Sequence, residues 1–251
     1  YHVQLAERLQ GNGAILRVHN SCGQLQRATL ETLAGQLACI AELIERLGAP
    51  CFLAGHDWGG LVAWYLTMSR PELVRKLAVL NMPHPVPFLR ELRRSTSQKL
   101  RMAYQLYFMP PRIPELLMPM LLPLVMRAGG RFSREELDAY KVAWRKPHAA
   151  RGMANFYRAV RRYRGELRPL IHKIDIPVMI IWGVKEVVFI PETLEGTEEW
   201  VPALRIVKVA GAGHFVQTDE PEVVNELLID FFGSSGLGAR ASGFSPALSL
   251  G

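Results

Sequence analysis

The stretch Cys51-Phe52-Leu53-Ala54-Gly55-His56-Asp57-Trp58-Gly59-Gly60 decides the fold of this chain. An apolar run ends in glycine, a single carboxylate follows two positions later, and two more glycines precede an apolar segment of helical period. Small residues on both sides of Asp57 allow a sharp turn from strand to helix, which presents the Asp57 side chain beyond the strand. The pattern predicts a strand at 51–55, a nucleophile at Asp57 and a helix at 58–69. The alternative is that Asp57 only caps that helix.

Strand and helix patterns alternate on both sides of this turn. Further strands are predicted at Ala14–Val18, Leu77–Leu80, Pro177–Gly183 and Leu204–Val209, further helices at 1–10, 30–47 and 220–232, and a loop at 19–24. Such alternation is typical of an α/β protein in which a mostly parallel sheet carries helices on both faces.

Residues 86–168 interrupt the alternation. They contain no convincing strand pattern, are rich in Met, Pro, Leu and Arg, and hold 18 Lys and Arg against 6 Asp and Glu. The rest of the chain holds 12 against 17, so the net charge of +7 comes from this one insertion. The arginines alternate with apolar helix positions, which favours a solvated outer face over nucleic-acid binding. We predict a helical lid at 86–168, a core at 1–85 and 169–233, and a disordered tail at 234–251.

Composition places the chain among soluble globular proteins, with 49% apolar and 21% charged residues among 251. The longest apolar stretch, 116–126, is interrupted by two prolines and is too short for a transmembrane span.

Three cysteines without metal or disulfide spacing indicate a reducing compartment. No targeting signal is visible, so we expect a cytoplasmic protein. The chain begins with Tyr1 rather than Met, and we expect its natural start to lie upstream. The sequence carries no signal for an oligomeric state.

Three candidate functional residues follow predicted strands. Asp57 follows the first of them, Glu186 follows the strand ending at Gly183, and His214 follows the last. In a parallel sheet these positions meet beyond the carboxyl ends of the strands, in the order nucleophile, acid, histidine. A carboxylate is ionised at neutral pH and can attack carbon without a base, whereas a histidine oriented by an acid can activate water. The alternatives are a core histidine at position 214 and a surface carboxylate at position 186.

Five segments together resemble the epoxide hydrolase branch of the α/β-hydrolases, and the similarity runs from Tyr1 to about Phe232. The segments are Gly55-His56-Asp57-Trp58-Gly59-Gly60, Asn81-Met82-Pro83-His84-Pro85, Gly213-His214-Phe215-Val216-Gln217 with Glu220-Pro221, Ala103-Tyr104-Gln105-Leu106-Tyr107-Phe108, and Asn155-Phe156-Tyr157-Arg158. The last two resemble the lid segments that carry the ring-opening tyrosines of that family. Tyr104 and Tyr157 would otherwise be ordinary lid packing.

The resemblance implies a reaction in two steps that needs neither a metal nor an organic cofactor. Asp57 would attack an epoxide to form an alkyl ester while Tyr104 and Tyr157 act on the opening oxygen. His214, oriented by Glu186, would then activate water, and a vicinal diol would leave. The backbone N–H of Trp58 would stabilise the oxyanion.

The same resemblance implies that Trp58, Phe108 and Phe215 contact the substrate. It also implies a His-Gly-x-Pro segment upstream of Tyr1 that supplies a second oxyanion donor. The family commonly has an Asp where this chain has Glu186, and an Asp-x-Arg-Gly-x-Gly pattern where it has the loop at 19–24. Two alternatives stay open: a haloalkane or haloacid dehalogenase, and a catalytically impaired fragment or binding protein that lacks the oxyanion segment.

Overall fold

A computed structural model describes residues 33–145, 149–162 and 164–233 of the chain. Several predictions fall outside these residues. They are the helix at 1–10, the strand at Ala14–Val18, the loop at 19–24, the start of the helix at 30–47, and the tail at 234–251.

Four strands form one parallel sheet in the order β1-β2-β3-β4. The strands are β1 Cys51–His56, β2 Val74–Leu80, β3 Val178–Gly183 and β4 Leu204–Val209. All six residues of β3 are buried, as expected for a central strand that is covered on both faces. Because the strands run in one direction, their carboxyl ends meet at one edge of the sheet. The predicted parallel sheet is confirmed.

Helices cover both faces of the sheet and fill the segment between β2 and β3. The α-helices in the described residues are α1 Leu33–Arg46, α2 Trp58–Ser69, α3 Pro85–Arg94, α4 Thr96–Met102, α5 Ile113–Gly129, α6 Arg134–Trp144, α7 Ala149–Arg162, α8 Arg164–Leu167, α9 Val216–Asp219 and α10 Pro221–Gly233. Short 3-10 helices lie at Pro71–Leu73, Ala103–Phe108, Arg168–Leu170, Pro191–Leu194 and Thr197–Glu199.

Alternate residues of the strands point into two apolar layers. On one face, Ile180 of β3 packs in a cluster with side chains of α1 and α2. On the other face, Ile181 packs in a second cluster with side chains of α10. This period of two, with helices on both faces, is the arrangement expected of a doubly covered sheet, and it holds the strand ends that carry the site in fixed register.

The second strand is longer than its sequence pattern indicates. The apolar run predicts a strand at Leu77–Leu80, whereas β2 begins at Val74. Two charged residues, Arg75 and Lys76, interrupt the apolar pattern. Lys76 is tolerated because its ammonium donates to the carbonyl of Phe231 and lies 5.4 Å from the centre of that ring.

The lid contains helices and, within its described residues, no strand. One helix, α5, is longer than the several short helices that the sequence predicts, because it continues for 17 residues through Pro119 and Pro123. Within the described ranges, every helix is too short or too polar to cross a lipid bilayer. The boundaries of the lid at 86 and 168 stay predictions.

Candidate active site

Asp57 lies in the sharp turn between β1 and α2. Its backbone has φ of 50°, a left-handed conformation that costs energy for a residue with a side chain. Gly55 makes the turn feasible, since a Cβ at that position would collide with the carbonyl of Gly59. The Asp57 side chain, 30% exposed, makes no capping hydrogen bond to α2. The strained turn therefore presents a carboxylate rather than a helix cap.

Glu186 and His214 form a buried hydrogen-bonded pair beyond the ends of β3 and β4. The Oε2 atom of Glu186 lies 2.8 Å from Nδ1 of His214. The other carboxylate oxygen, Oε1, accepts a hydrogen bond from the backbone N–H of Val188 at 2.5 Å. Only 2% of the Glu186 side chain is exposed, so it is not a surface carboxylate. Position 214 is likewise buried, and its ring orientation is fixed by Glu186.

The free edge of the His214 ring faces Asp57. Its Nε2 atom lies 3.7 Å from Oδ1 of Asp57. The backbone carbonyl of His214 lies 2.7 Å from Nε2 of His56, the residue before the turn. One imidazole nitrogen is thus engaged by an acid while the other is directed at the carboxylate of the turn, the arrangement of a base oriented to act next to a nucleophile.

Asn81, which stands in one of the five segments quoted above but received no role from sequence, hydrogen-bonds to Glu186. It directly follows β2, has φ of 44°, and is fully buried. Its amide donates to Oε2 of Glu186 at 2.5 Å, and its Oδ1 accepts from the backbone N–H of Gly183 at 3.0 Å. The signal that could have revealed Asn81 is the pairing of β1 with β2. Their last residues, His56 and Leu80, are partners in the sheet, so the next residues, Asp57 and Asn81, are neighbours at its edge.

Burial and charge act in opposite directions on the three titratable groups at the sheet edge. Burial raises the pKa of the Asp57 carboxyl, although the charge on His214 and the backbone N–H of Trp58 oppose this rise. Burial alone would lower the pKa of His214, but the hydrogen bond to Glu186 and the charge of Asp57 outweigh it and raise that pKa. Burial also disfavours ionised Glu186, yet bonds from His214, Val188 and Asn81 lower its pKa. Glu186 therefore stays ionised beside a more basic imidazole.

The two lid tyrosines lie together on the side of Asp57 that faces the lid. The ring of Tyr157, from α7, packs edge-on against Trp58 at 4.9 Å between centroids and lies 6.2 Å from the ring of Tyr104. Burial and the nearby charge of Asp57 raise the pKa of Tyr157 to about 12. Tyr104 as a whole is 42% exposed, but its phenol is desolvated beside Tyr157 and Asp57, which also raises its pKa. Both phenols are therefore protonated at neutral pH and can donate hydrogen bonds toward an oxygen bound between them and Asp57.

Aromatic stacking and one arginine hold this pair of tyrosines. The ring of Phe108 stacks on Tyr157 at 3.9 Å with the planes 4° apart. Arg158, the next residue in α7, donates from Nε to the carbonyl of Phe108 at 2.8 Å and pairs with Glu115 of α5 at 2.6 Å. The segment that carries Tyr104 is thereby tied to the helix that carries Tyr157. Sequence reasoning quoted Arg158 within a motif but gave it no role.

Hydrogen bonds from α4 join the lid to the loop that follows β3. Gln98 of α4 is buried; its amide donates to the carbonyl of Val188 at 3.1 Å and accepts from the backbone N–H of Ile190 at 2.9 Å. Arg101 donates to the carbonyl of Glu186 at 3.1 Å. The loop that positions the acid of the pair is therefore bound to the lid.

The remaining predicted residues lie around the same centre. Phe215 contacts the His214 ring edge-on at 5.2 Å and the His56 ring at 5.5 Å. The structure thus brings together the eight predicted site residues, which are Asp57, Trp58, Tyr104, Phe108, Tyr157, Glu186, His214 and Phe215. Among the described residues, no group of three His, Cys, Asp or Glu side chains is arranged to hold a metal ion.

Comparisons with known proteins agree on one family. A family model described as "Alpha/beta hydrolase family" matches residues 5–227. The chain is 31% identical to epoxide hydrolase 4 of Mus musculus over 78% of this chain and 57% of that protein. It is 33% identical to the AB hydrolase superfamily protein YfhM of Bacillus subtilis (strain 168) over 70% of this chain and 64% of that protein. The chain thus spans somewhat more than half the length of the curated relatives it matches.

Solved structures give the same picture. An epoxide hydrolase from Bacillus megaterium matches with a TM-score of 0.73 and 30% identity, over 81% of this chain and 77% of that chain. Epoxide hydrolase I of potato (Solanum tuberosum) matches with a TM-score of 0.69 and 23% identity, over 84% of this chain and 79% of that chain, which concerns the fold alone.

Proposed function

We propose that this chain, which belongs to the epoxide hydrolase branch of the alpha/beta hydrolase family, converts an epoxide and water to a vicinal diol. One observation carries the proposal: a carboxylate in a strained turn faces a histidine–acid pair on one side and two protonated phenols on the other. Attack on an epoxide needs a nucleophile and an acid at opposite sides of one bond, and ester hydrolysis needs a base.

In the first step, the Asp57 carboxylate attacks one epoxide carbon. A carbon–oxygen bond to Asp57 forms as the ring carbon–oxygen bond breaks, and the electron pair of that bond goes to the epoxide oxygen. Tyr104 and Tyr157 stabilise this oxygen and supply its proton. A phenol is protonated at neutral pH in any case, and burial that raises the pKa of both groups keeps them as hydrogen-bond donors to an oxygen that develops the charge of a more basic alkoxide.

In the second step, His214 removes a proton from water as the water oxygen attacks the ester carbonyl of Asp57. Glu186 holds the ring by its Nδ1 atom and stabilises the imidazolium that forms. The backbone N–H of Trp58, at the first turn of α2, is suited to stabilise the developing oxyanion. Collapse of this intermediate breaks the bond between the acyl carbon and the substrate oxygen, which takes the proton from the imidazolium of His214. The proton left on the acyl group returns to the tyrosinate, so the Asp57 carboxylate, the neutral imidazole and the phenol are restored and the diol leaves, with an epoxide and water as the only reactants. The cytoplasmic location, expected because no targeting signal is visible, stays a prediction.

A second candidate function is dehalogenation by the same ester chemistry. The observation that favours it is the indole Nε1 of Trp58, a buried donor that lies near the Tyr157 hydroxyl and makes no well-formed hydrogen bond within the described residues. An N–H so weakly engaged beside the nucleophile could turn to a halide leaving group. Tyr104 and Tyr157 favour the epoxide instead, since the oxygen freed by ring opening develops the charge of an alkoxide and needs a proton, whereas a released halide needs none.

The test compares the two reactions in the full-length protein. Diol formation from a panel of aryl and alkyl epoxides is measured beside halide release from haloalkanes and haloacids of matched carbon skeleton. We expect diol formation from at least one epoxide and its loss in Asp57→Asn, because a neutral amide is a poor nucleophile. Faster halide release than epoxide hydration would replace the proposal with the dehalogenase. Absence of both reactions would support the binding protein.

A further inference from the structure

Helix α5 of the lid is apolar on two opposite faces. Its inner face contributes the buried residues Pro114, Met118 and Met126, and Met118 packs with Phe108. Its outer face carries Ile113, Leu116, Met120 and Leu124, at intervals of three or four residues. These four side chains are 52%, 79%, 64% and 59% exposed. At 1.5 Å per residue they form a stripe about 16 Å long.

This outer face departs from that of the neighbouring helix. In α7 the exposed positions include Arg151, Arg161 and Arg162, the polar surface expected of a helix in contact with water. A helix that is apolar all round is normally covered on every side. The outer face of α5 therefore has the composition of a buried surface although it faces solvent.

The charges around the outer face indicate what covers it. The lid as a whole is strongly basic, with 18 Lys and Arg against 6 Asp and Glu in residues 86–168. The Glu115 carboxylate is engaged by Arg158, so it does not offset this positive charge at the surface. Arg112 and Arg127 lie at the two ends of α5 and can extend their charged groups beyond the apolar stripe. Apolar side chains framed by arginines are complementary to a layer of anionic headgroups above acyl chains.

The same charges argue against a second copy of the chain as the partner. In a symmetric dimer the same surface meets itself, so one strongly basic lid would face another, and Asp138 near Arg127 would offset only part of that repulsion. Like charges in contact are unfavourable.

We propose that the outer face of α5 docks the lid onto an anionic lipid surface. Ile113, Leu116, Met120 and Leu124 would enter the boundary between headgroups and acyl chains, and Arg112 and Arg127 would bind lipid phosphates. The 3-10 segment that carries Tyr104 contacts α5, so docking would turn the lid side of the candidate site toward the bilayer. This inference does not depend on the proposed reaction.

The experiment is a flotation assay of the full-length protein with vesicles. One set contains phosphatidylcholine alone, and the other contains about 30 mol% phosphatidylserine, the anionic lipid of cytoplasmic leaflets. We expect binding to the anionic vesicles that weakens as salt is raised, because screening reduces headgroup attraction. Leu116→Gln/Met120→Gln should lower the partition coefficient at least about tenfold, since two apolar side chains no longer enter the bilayer.

A matched control removes two exposed apolar side chains elsewhere. Leu47→Gln/Val142→Gln changes residues that are 57% and 65% exposed outside the outer face of α5. This control should bind as wild type, and both variants should keep the wild-type melting temperature. Absence of wild-type binding to anionic vesicles, or equal loss in both variants, would overturn the proposal. So would a wild-type dimer that the α5 variant converts to a monomer without any vesicle binding.

Discussion

The sheet edge and the lid supply the two halves of the candidate site by different means. Asp57 is held by the strained turn, whereas Glu186 and His214 are held by directional polar bonds, and the Glu186 carboxylate alone engages His214, Asn81 and the backbone of Val188. Tyr104 and Tyr157 are held chiefly by the stacking and edge contacts of aromatic rings. Stacked rings slide at little cost, whereas buried hydrogen bonds tolerate little displacement. We infer that ester hydrolysis depends on fixed geometry and that ring opening depends on an adjustable pair of donors.

The largest expected effect isolates the sheet-edge half. His214→Gln should slow ester hydrolysis by about 10⁴-fold, because general-base catalysis is lost, while Asp57 still attacks the epoxide. Intact-protein mass spectrometry of the full-length variant should then reveal an adduct with the mass of one substrate molecule.

The Asp57→Asn variant is the control for that adduct, since it cannot form the ester. If His214→Gln accumulates no adduct with a substrate that wild type hydrolyses, then His214 acts before the ester forms and the separation of the two halves is wrong.

A smaller effect is expected when the lid half is changed. Each single substitution, Tyr104→Phe or Tyr157→Phe, should slow alkylation about tenfold, because the other phenol can still serve the opening oxygen. The double variant should slow it about 1,000-fold, as both donors are then lost. Alkylation is followed by stopped-flow Trp fluorescence, with Trp58 next to Asp57 as the reporter.

Phe lacks only the hydroxyl, so the stacking with Phe108 survives in these variants. Tyr140→Phe, on α6 of the lid, is a matched control and should alkylate at the wild-type rate. An unchanged alkylation rate in the double Phe variant would remove both tyrosines from the reaction and favour the dehalogenase.

The smallest effect tests whether the Glu186 carboxylate needs its buried amide donor. Asn81→Ala removes a hydrogen bond to Glu186 and should slow ester hydrolysis about tenfold, roughly the worth of one hydrogen bond to a charged group. The alkylation rate should stay unchanged, because the side-chain hydrogen bonds of Asn81 go to Glu186 and Gly183 and not to the tyrosines. Single-turnover kinetics separate the two steps.

Asn155→Ala provides the comparison from the lid. Asn155 accepts a hydrogen bond from Arg158 at 2.9 Å and lies in the same helical turn of α7 as Tyr157. That variant should leave ester hydrolysis unaltered. Equal slowing of both steps by Asn81→Ala would mean that Asn81 supports the fold of the site rather than the orientation of Glu186.

The sheet half was the more predictable from sequence. The turn at Asp57 is encoded locally by its glycines, and the strands β1, β3 and β4 agree with the predicted ranges to within one residue at each end. Parallel strands bring residues that follow them to one edge, so Glu186 and His214 could be placed beside Asp57 by topology alone. Their roles in catalysis stay predictions.

The lid half could not be derived in this way. Residues Tyr104 and Tyr157 are 53 positions apart on different helical segments, and helical periodicity says nothing about which lid faces meet. They were found by resemblance to a family. Gln98, Arg101 and Arg158 were missed as anchors because an arginine or glutamine on a helix usually faces solvent, whereas each of the three here donates to a backbone carbonyl far away in sequence. No local pattern records such partners.

The hydrogen bonds from α4 to the loop at 186–190 restrict how this molecule can be recombined with its relatives. Gln98 forms hydrogen bonds with backbone groups of Val188 and Ile190, so the side chains at those two positions do not reveal the contact. A lid transplanted from a relative would pack correctly on this core only if its counterpart of α4 formed hydrogen bonds with the same backbone carbonyl and N–H groups. The loop at 186–190 and the lid should therefore be exchanged together in a chimaera. Exchange of the lid alone would displace Glu186, the residue hydrogen-bonded to His214.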